Sequence, residues 1–175
     1  MQADLERNYF ELFDLPAAFD LDPADLASRY RILQQRFHPD RFASGSAPER
    51  RLSLQLTAQI NAAYQTLKDP VARARYLLGL QGIETDEETD TAMDPAFLME
   101  QMDLRESLAD LRHVSERSAP LAALSRRVDA LWTDRINSLH VNITANTETA
   151  LRQARNRVRE LQFLQKLMRE LDELE

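Results

Sequence analysis

Cysteine is absent from all 175 residues, and glycine occurs only three times. The first absence excludes disulfides and thiolate metal sites, and it suits a reducing compartment. The second leaves few of the tight turns that an all-β chain needs, while Leu, Ala, Gln, Glu and Arg are plentiful, so the expected fold class is all-α. No stretch approaches the eighteen or so apolar residues of a membrane span. The opening MQADLERNYF has no basic segment followed by an apolar run, so no secretory leader is expected. Basic residues are also in deficit: 22 against 29 acidic ones give a formal charge of −7, which argues against a general nucleic-acid binder. The chain is expected to work in the cytoplasm, with neither nucleic acid nor membrane as a partner.

What is present is helical periodicity. NYFELFDL, residues 8–15, predicts a short helix ended by Pro16. Asp22-Pro23 then gives a strong helix start, a capping carboxylate followed by proline at the first helical position. Leu26, Tyr30, Leu33 and Phe37 follow at spacings of 4, 3 and 4, one stripe of that helix. A loop, RFASGSAP, precedes a long pattern from Pro48 to Lys68, with Leu52, Leu56, Ile60, Ala63 and Leu67 on one face and Asp69-Pro70 as the stop. VARARYLLGLQG predicts a further short helix. Residues 82–94, GIETDEETDTAMD, hold six acidic and no basic residues and are expected to be a linker. Three long helical patterns follow, from Pro95 to about Glu116, from Pro120 to about His140, and from Thr147 to the end with Asn146 as its cap. Their core stripes are Leu121, Leu124, Val128 and Leu131, then Leu151, Ala154, Val158, Leu161, Leu164, Met168 and Leu171. The expected domains are therefore 1–81, a linker at 82–94, and a three-helix bundle at 95–175.

Two features ask for a functional explanation. His38-Pro39-Asp40 sits between the two long helices of the first domain. It is either a plain turn, since proline ends helices and Asp suits turns, or a motif held out for another protein. The second feature is a set of large apolar residues on the wrong side of the bundle. At about 100° per residue, Phe97, Leu104, Leu108 and Leu111 form a core stripe, whereas Leu98, Met99 and Met102 fall roughly opposite, continued by Asp103, Glu106 and Asp110. Phe163 likewise lies far from the line set by Leu161 and Met168. These residues are either covered by another part of the protein or a second copy, simply exposed, or a partner-binding patch. Methionine suits such an adaptable surface, and the acidic neighbours would favour a partner with a basic rim.

With the tripeptide placed between helices, the first 80 or so residues resemble a J domain, the family that activates the ATPase of heat-shock chaperones of the DnaK class. The resemblance rests on YFELFDL, YRILQQRFHPDRF and INAAYQTLKDPVARARY. AFLMEQMDLRESL and RELQFLQKL extend it over nearly the whole chain, to the HscB-type J-domain co-chaperones of iron–sulfur cluster assembly. The resemblance implies an N-terminal J domain, a C-terminal scaffold-binding bundle, and as partners the chaperone ATPase HscA and the cluster scaffold IscU. The absence of a Gly/Phe-rich segment and of cysteine sets the chain apart from general DnaJ-type proteins and points to a bacterial-type member. The resemblance implies that His38, Pro39 and Asp40 stimulate the chaperone, with Arg29 and Arg36 on one flank of the preceding helix and Arg31 and Arg41 nearby. A solvated helix face is the plainer account of those arginines. It further implies that Leu98, Met99, Met102, Asp103, Glu106, Asp110 and Phe163 contact the scaffold, the same set that periodicity puts off the core. Met102 and Asp103 stand where Leu and Glu are common in that family.

Other constellations are weak. His38, His113 and His140 are far apart, without the spacing of a metal site, and no phosphate-binding glycine loop, GxSxG or HExxH occurs. No cofactor and no catalysis are expected; an acid–base pair of His38 and Asp40 would lack both a pocket and a third group. Trp132 reads as bundle packing, and the Asn142-Ile143-Thr144 sequon as chance. The alternative function is a general J-domain co-chaperone that delivers unfolded clients.

Overall fold

The computed structural model describes residues 5–85 and 94–174, and among these every regular element is helical. The chain divides into two compact units between Leu77 and Leu78. That point lies inside a helix, earlier than the boundary at 81 expected from composition. Most of the expected acidic linker, residues 86–93, lies outside the described residues.

In the first unit, α1 (Tyr9–Leu12) is shorter than the pattern over 8–15. Its start is a capping box: the Asn8 side chain accepts from the Glu11 N–H and Glu11 accepts from the Asn8 N–H, both at 3.0 Å. Its end comes before Pro16, because Asp14 takes a left-handed φ of 50° that no helix can continue. Helix α2 (Pro23–Phe37) begins on Asp22, whose carboxylate accepts from the Ala24 N–H at 2.8 Å. A single 3-10 turn over Pro39–Phe42 leads to α3 (Ala47–Lys68), which opens where Ser46 donates its N–H and hydroxyl to Glu49. Helix α4 (Pro70–Leu80) follows almost at once.

The core of this unit is built from Phe10, Leu12, Phe13, Leu26, Phe37, Leu56, Ile60 and Leu67, all buried. Tyrosines seal its edges, Tyr30 stacking on Tyr64 at 4.1 Å and Tyr9 on Tyr76 at 4.4 Å between ring centroids. The Tyr76 hydroxyl also accepts the Tyr9 N–H at 2.9 Å.

The second unit holds three long helices: α5 (Pro95–Leu111), α6 (Ser118–Ala145) and α7 (Glu148–Asp172). α5 stops short of Glu116 through tight C-terminal bonds, the Arg112 N–H to the Ala109 carbonyl and the His113 N–H to the Asp110 carbonyl. α6 starts ahead of Pro120 and runs past His140. Asn146 is not the cap of the last helix: it takes a left-handed φ of 49° and terminates α6. Thr147 is the N-cap of α7, accepting the Ala150 N–H at 3.2 Å.

The core joins Leu104, Leu108 and Leu111 of α5 to Leu121, Leu124 and Val128 of α6 and to Leu164, Leu167 and Leu171 of α7. Leu131 and Met168, expected within the stripes, are only half-buried against it, as are Trp132 and Phe163. A charged knot ties the three helices elsewhere along their length. Buried Glu160 of α7 binds Arg135 of α6 at 2.5 Å, and Arg135 binds Glu100 of α5 at 3.1 Å. Burial opposes the Arg135 charge, but Glu160 and Glu100 outweigh it and raise its pKa.

Candidate functional site

The HPD turn is built by denying α2 its ordinary ending. Pro39 forces His38 out of the helical region, to φ −55° and ψ 131°, and cannot donate an N–H back to the helix. The Phe37 carbonyl, which would otherwise be orphaned beside the core, accepts the Ser53 hydroxyl at 2.8 Å and the Thr57 hydroxyl at 3.1 Å. Ser53 is itself buried. Two hydroxyls of α3 therefore clamp the last residue of α2, and the turn leaves from a fixed point.

Within the turn, the His38 Nδ1 accepts the Asp40 N–H at 3.3 Å. The Asp40 carboxylate lies 3.6 Å from the same Nδ1. Both side chains are exposed, so the imidazole and the carboxylate of the motif are offered to solvent on a short loop.

The four arginines do not form one open cationic surface. Arg29 is engaged in structure: it donates to Asp25 at 2.9 Å and to the carbonyls of Phe13 and Asp14 at 3.1 and 3.0 Å, fastening the end of α1 to α2. Arg36 rests its guanidinium 5.1 Å from the Phe37 ring centroid, and Arg41 donates to the Gln35 carbonyl at 3.3 Å. Arg31 is exposed, about 140–160° around α2 from Arg29 and Arg36. Ile32, which periodicity did not single out, is 60% exposed on the Arg29–Arg36 side.

In the second unit, α5 presents the other expected group. Met99 and Met102 are each 72% exposed and Leu98 42%, while Asp103, Glu106 and Asp110 are exposed as well. Phe163 departs from its expected outward position. It is half-buried, edge-on to Phe97 with centroids 6.0 Å apart, and covered by the Arg105 guanidinium at 5.4 Å from the ring centroid. Arg105 is held there by both oxygens of Glu170, each at 2.8 Å. That bond, opposed by burial and supported by the charges of Arg105, Lys166 and Arg112, lowers the Glu170 pKa. On the opposite flank Arg127 of α6 reaches Asp103 at 2.6 Å. Arg105, Arg127 and Glu170 went unnoticed in the sequence because each acts on a different helix, and no local spacing reports that.

Among the described residues no group of three His, Cys, Asp or Glu side chains is placed to hold a metal ion, and no helix is long and apolar enough to cross a membrane.

An HPD turn clamped between two long antiparallel helices, followed by a three-helix bundle, defines a two-unit J-domain protein. Residues 93–172 match the family model described as the HSCB C-terminal oligomerisation domain. The chain is 45% identical to the co-chaperone protein HscB homolog of Vibrio vulnificus, over 96% of both chains. It is 44% identical to that of Shewanella pealeana, over 96% of this chain and 97% of the relative. Among solved structures, the chaperone HscB from Vibrio cholerae superposes with a TM-score of 0.85 at 43% identity, covering 96% and 97% of the two chains. The human co-chaperone HscB gives 0.88 at 30% identity over 97% of this chain and 82% of the human one. The chain belongs to the HscB family of co-chaperones.

Proposed function

We propose that this co-chaperone brings an IscU-type iron–sulfur cluster scaffold to an HscA-type chaperone of the DnaK class and stimulates that chaperone's ATPase, in the cytoplasm, so that iron–sulfur proteins mature. The observation that carries the reading is the presence in one chain of an exposed, rigidly seated HPD turn and, on the other unit, an exposed apolar face edged by carboxylates. The first suits activation of an ATPase partner and the second suits a folded protein with apolar and basic groups.

The protein breaks no bond itself. The α5 face binds the scaffold, and the shared chain raises the scaffold's effective concentration at the chaperone. The HPD turn favours the hydrolysis-competent state of the chaperone, to the extent that it binds that state more tightly than the other. Asp40 offers a charge-assisted acceptor for a partner arginine, and Pro39 holds the loop's shape.

The test is the steady-state ATPase of the chaperone with its scaffold. His38→Gln should lose most of the maximal stimulation even at saturating co-chaperone. Met99→Ala/Met102→Ala should instead raise the scaffold concentration needed, with little change in the maximum. Both methionines are largely exposed, so this pair reads recognition rather than folding. Stimulation by denatured polypeptide as strong as by the scaffold would favour a general client-delivering co-chaperone instead.

A further inference from the structure

We propose that Arg127 is a specificity-determining residue of the α5 recognition face, neutralising Asp103 and so limiting how basic a partner that face accepts. The inference rests on the scaffold-binding reading above and deepens it.

The face has two flanks. Counting about 100° per residue, Leu98, Met102 and Arg105 lie on one side of α5, and Asp103 and Asp110 on the other, with Met99 and Glu106 along the crest. The contacts fix which neighbour each flank meets. Arg105 pairs with Glu170 and covers Phe163, both of α7, whereas Asp103 pairs with Arg127 of α6. The face is thus apolar beside α7 and acidic beside α6.

On the acidic flank, Arg127 Nη2 lies 2.6 Å from Asp103 Oδ2, with both side chains about half exposed. Arg127 also lines, together with Asp110, the open groove at that end of the α5–α6 pair, beside Val114 and Pro120. One cation therefore stands among the carboxylates that make the face attractive to a basic partner. An exposed pair of this kind contributes little to stability. Its electrostatic effect on a partner is direct. An incoming Lys or Arg reaching for Asp103 must displace Arg127 and then sit beside its like charge, which opposes binding. The carboxylates left for such a partner are Glu106 and Asp110.

The test is the affinity of the purified scaffold for the full-length protein, measured by calorimetry at low and high ionic strength. The proteins compared are wild type, Arg127→Gln, Arg127→Lys, Asp103→Asn, and Arg127→Gln/Asp103→Asn. At low ionic strength Arg127→Gln should bind about two- to fivefold more tightly. The gain should shrink at high salt and in the Asp103→Asn background, and Arg127→Lys, which keeps the charge, should stay near wild type. Weaker or unchanged binding by Arg127→Gln, or an undiminished gain without Asp103, overturns the proposal. The same titrations include Met99→Ala/Met102→Ala. If wild type binds and that pair is weakened while Arg127→Gln shows no gain, only the role of Arg127 falls. If wild type does not bind the scaffold, the scaffold reading falls and the proposal with it.

Discussion

Met99 and Phe163 carry one expectation from the sequence and two fates in the structure. Both stand off the core stripe of their own helix, yet Met99 is 72% exposed and Phe163 is wedged between Phe97 and Arg105. Truncating them should therefore separate recognition from stability. Met99→Ala should weaken scaffold binding while leaving the urea midpoint nearly unmoved. Phe163→Ala should cost about 2 kcal/mol of unfolding free energy, less than a fully buried phenylalanine would, as well as affecting binding. Equal midpoints for the two variants would show that Phe163 is not part of the packed bundle. The helical wheel could not make this distinction, because an angle on one helix does not say which neighbour crosses over it. The same limit hid the contacts of Arg29, which reads as part of a solvated helix face on the wheel and in the structure donates to the carbonyls of Phe13 and Asp14.

Between elements, the contacts that matter most are side chains of one helix closing the end or the flank of another. Ser53 and Thr57 satisfy the Phe37 carbonyl that Pro39 leaves open, so they seat the HPD turn. Ser53→Ala should cost about 1 kcal/mol, because the Thr57 hydroxyl still donates to the Phe37 carbonyl. Ser53→Ala/Thr57→Val should cost more, by leaving a buried carbonyl unpaired. That double variant should also lower the maximal ATPase stimulation while scaffold affinity stays at the wild-type value. Unchanged stimulation would mean that the turn keeps its place without the clamp.

The Arg105–Glu170 fork ties α5 to α7 and has a pH signature. The folded-state pKa of Glu170 is lowered, first by the hydrogen bond from Arg105. Its stabilisation is thus complete above the unfolded carboxylate value of about 4.3 and is lost as pH falls below it, through the folded value. Wild type should lose thermal stability below pH 5 more steeply than Glu170→Gln, and parallel curves would contradict the assignment. Helix starts such as Asp22-Pro23 were legible because a cap is a local signal. The α6–α7 junction was not, since Asn serves both as an N-cap and in a left-handed C-terminal position, and here Thr147 takes the first role.

At the scale of the whole molecule, the question is whether the two sites must belong to one chain. Periodicity and the HPD motif made both units legible. No residue spacing, however, states whether the HPD turn and the α5 face act on the same event. If tethering is the mechanism, the gain comes from effective concentration, which a second chain at micromolar levels does not supply. His38→Gln retains the α5 face, and Met99→Ala/Met102→Ala retains the turn, so a mixture contains both functions on separate molecules. With scaffold limiting, that mixture should stimulate the chaperone no more than the methionine variant does alone. It should stimulate less, because His38→Gln sequesters scaffold in complexes that cannot activate. Recovery towards wild-type stimulation in the mixture would show that the turn and the face cooperate between chains, and the single-chain adaptor would give way to an assembly of several copies.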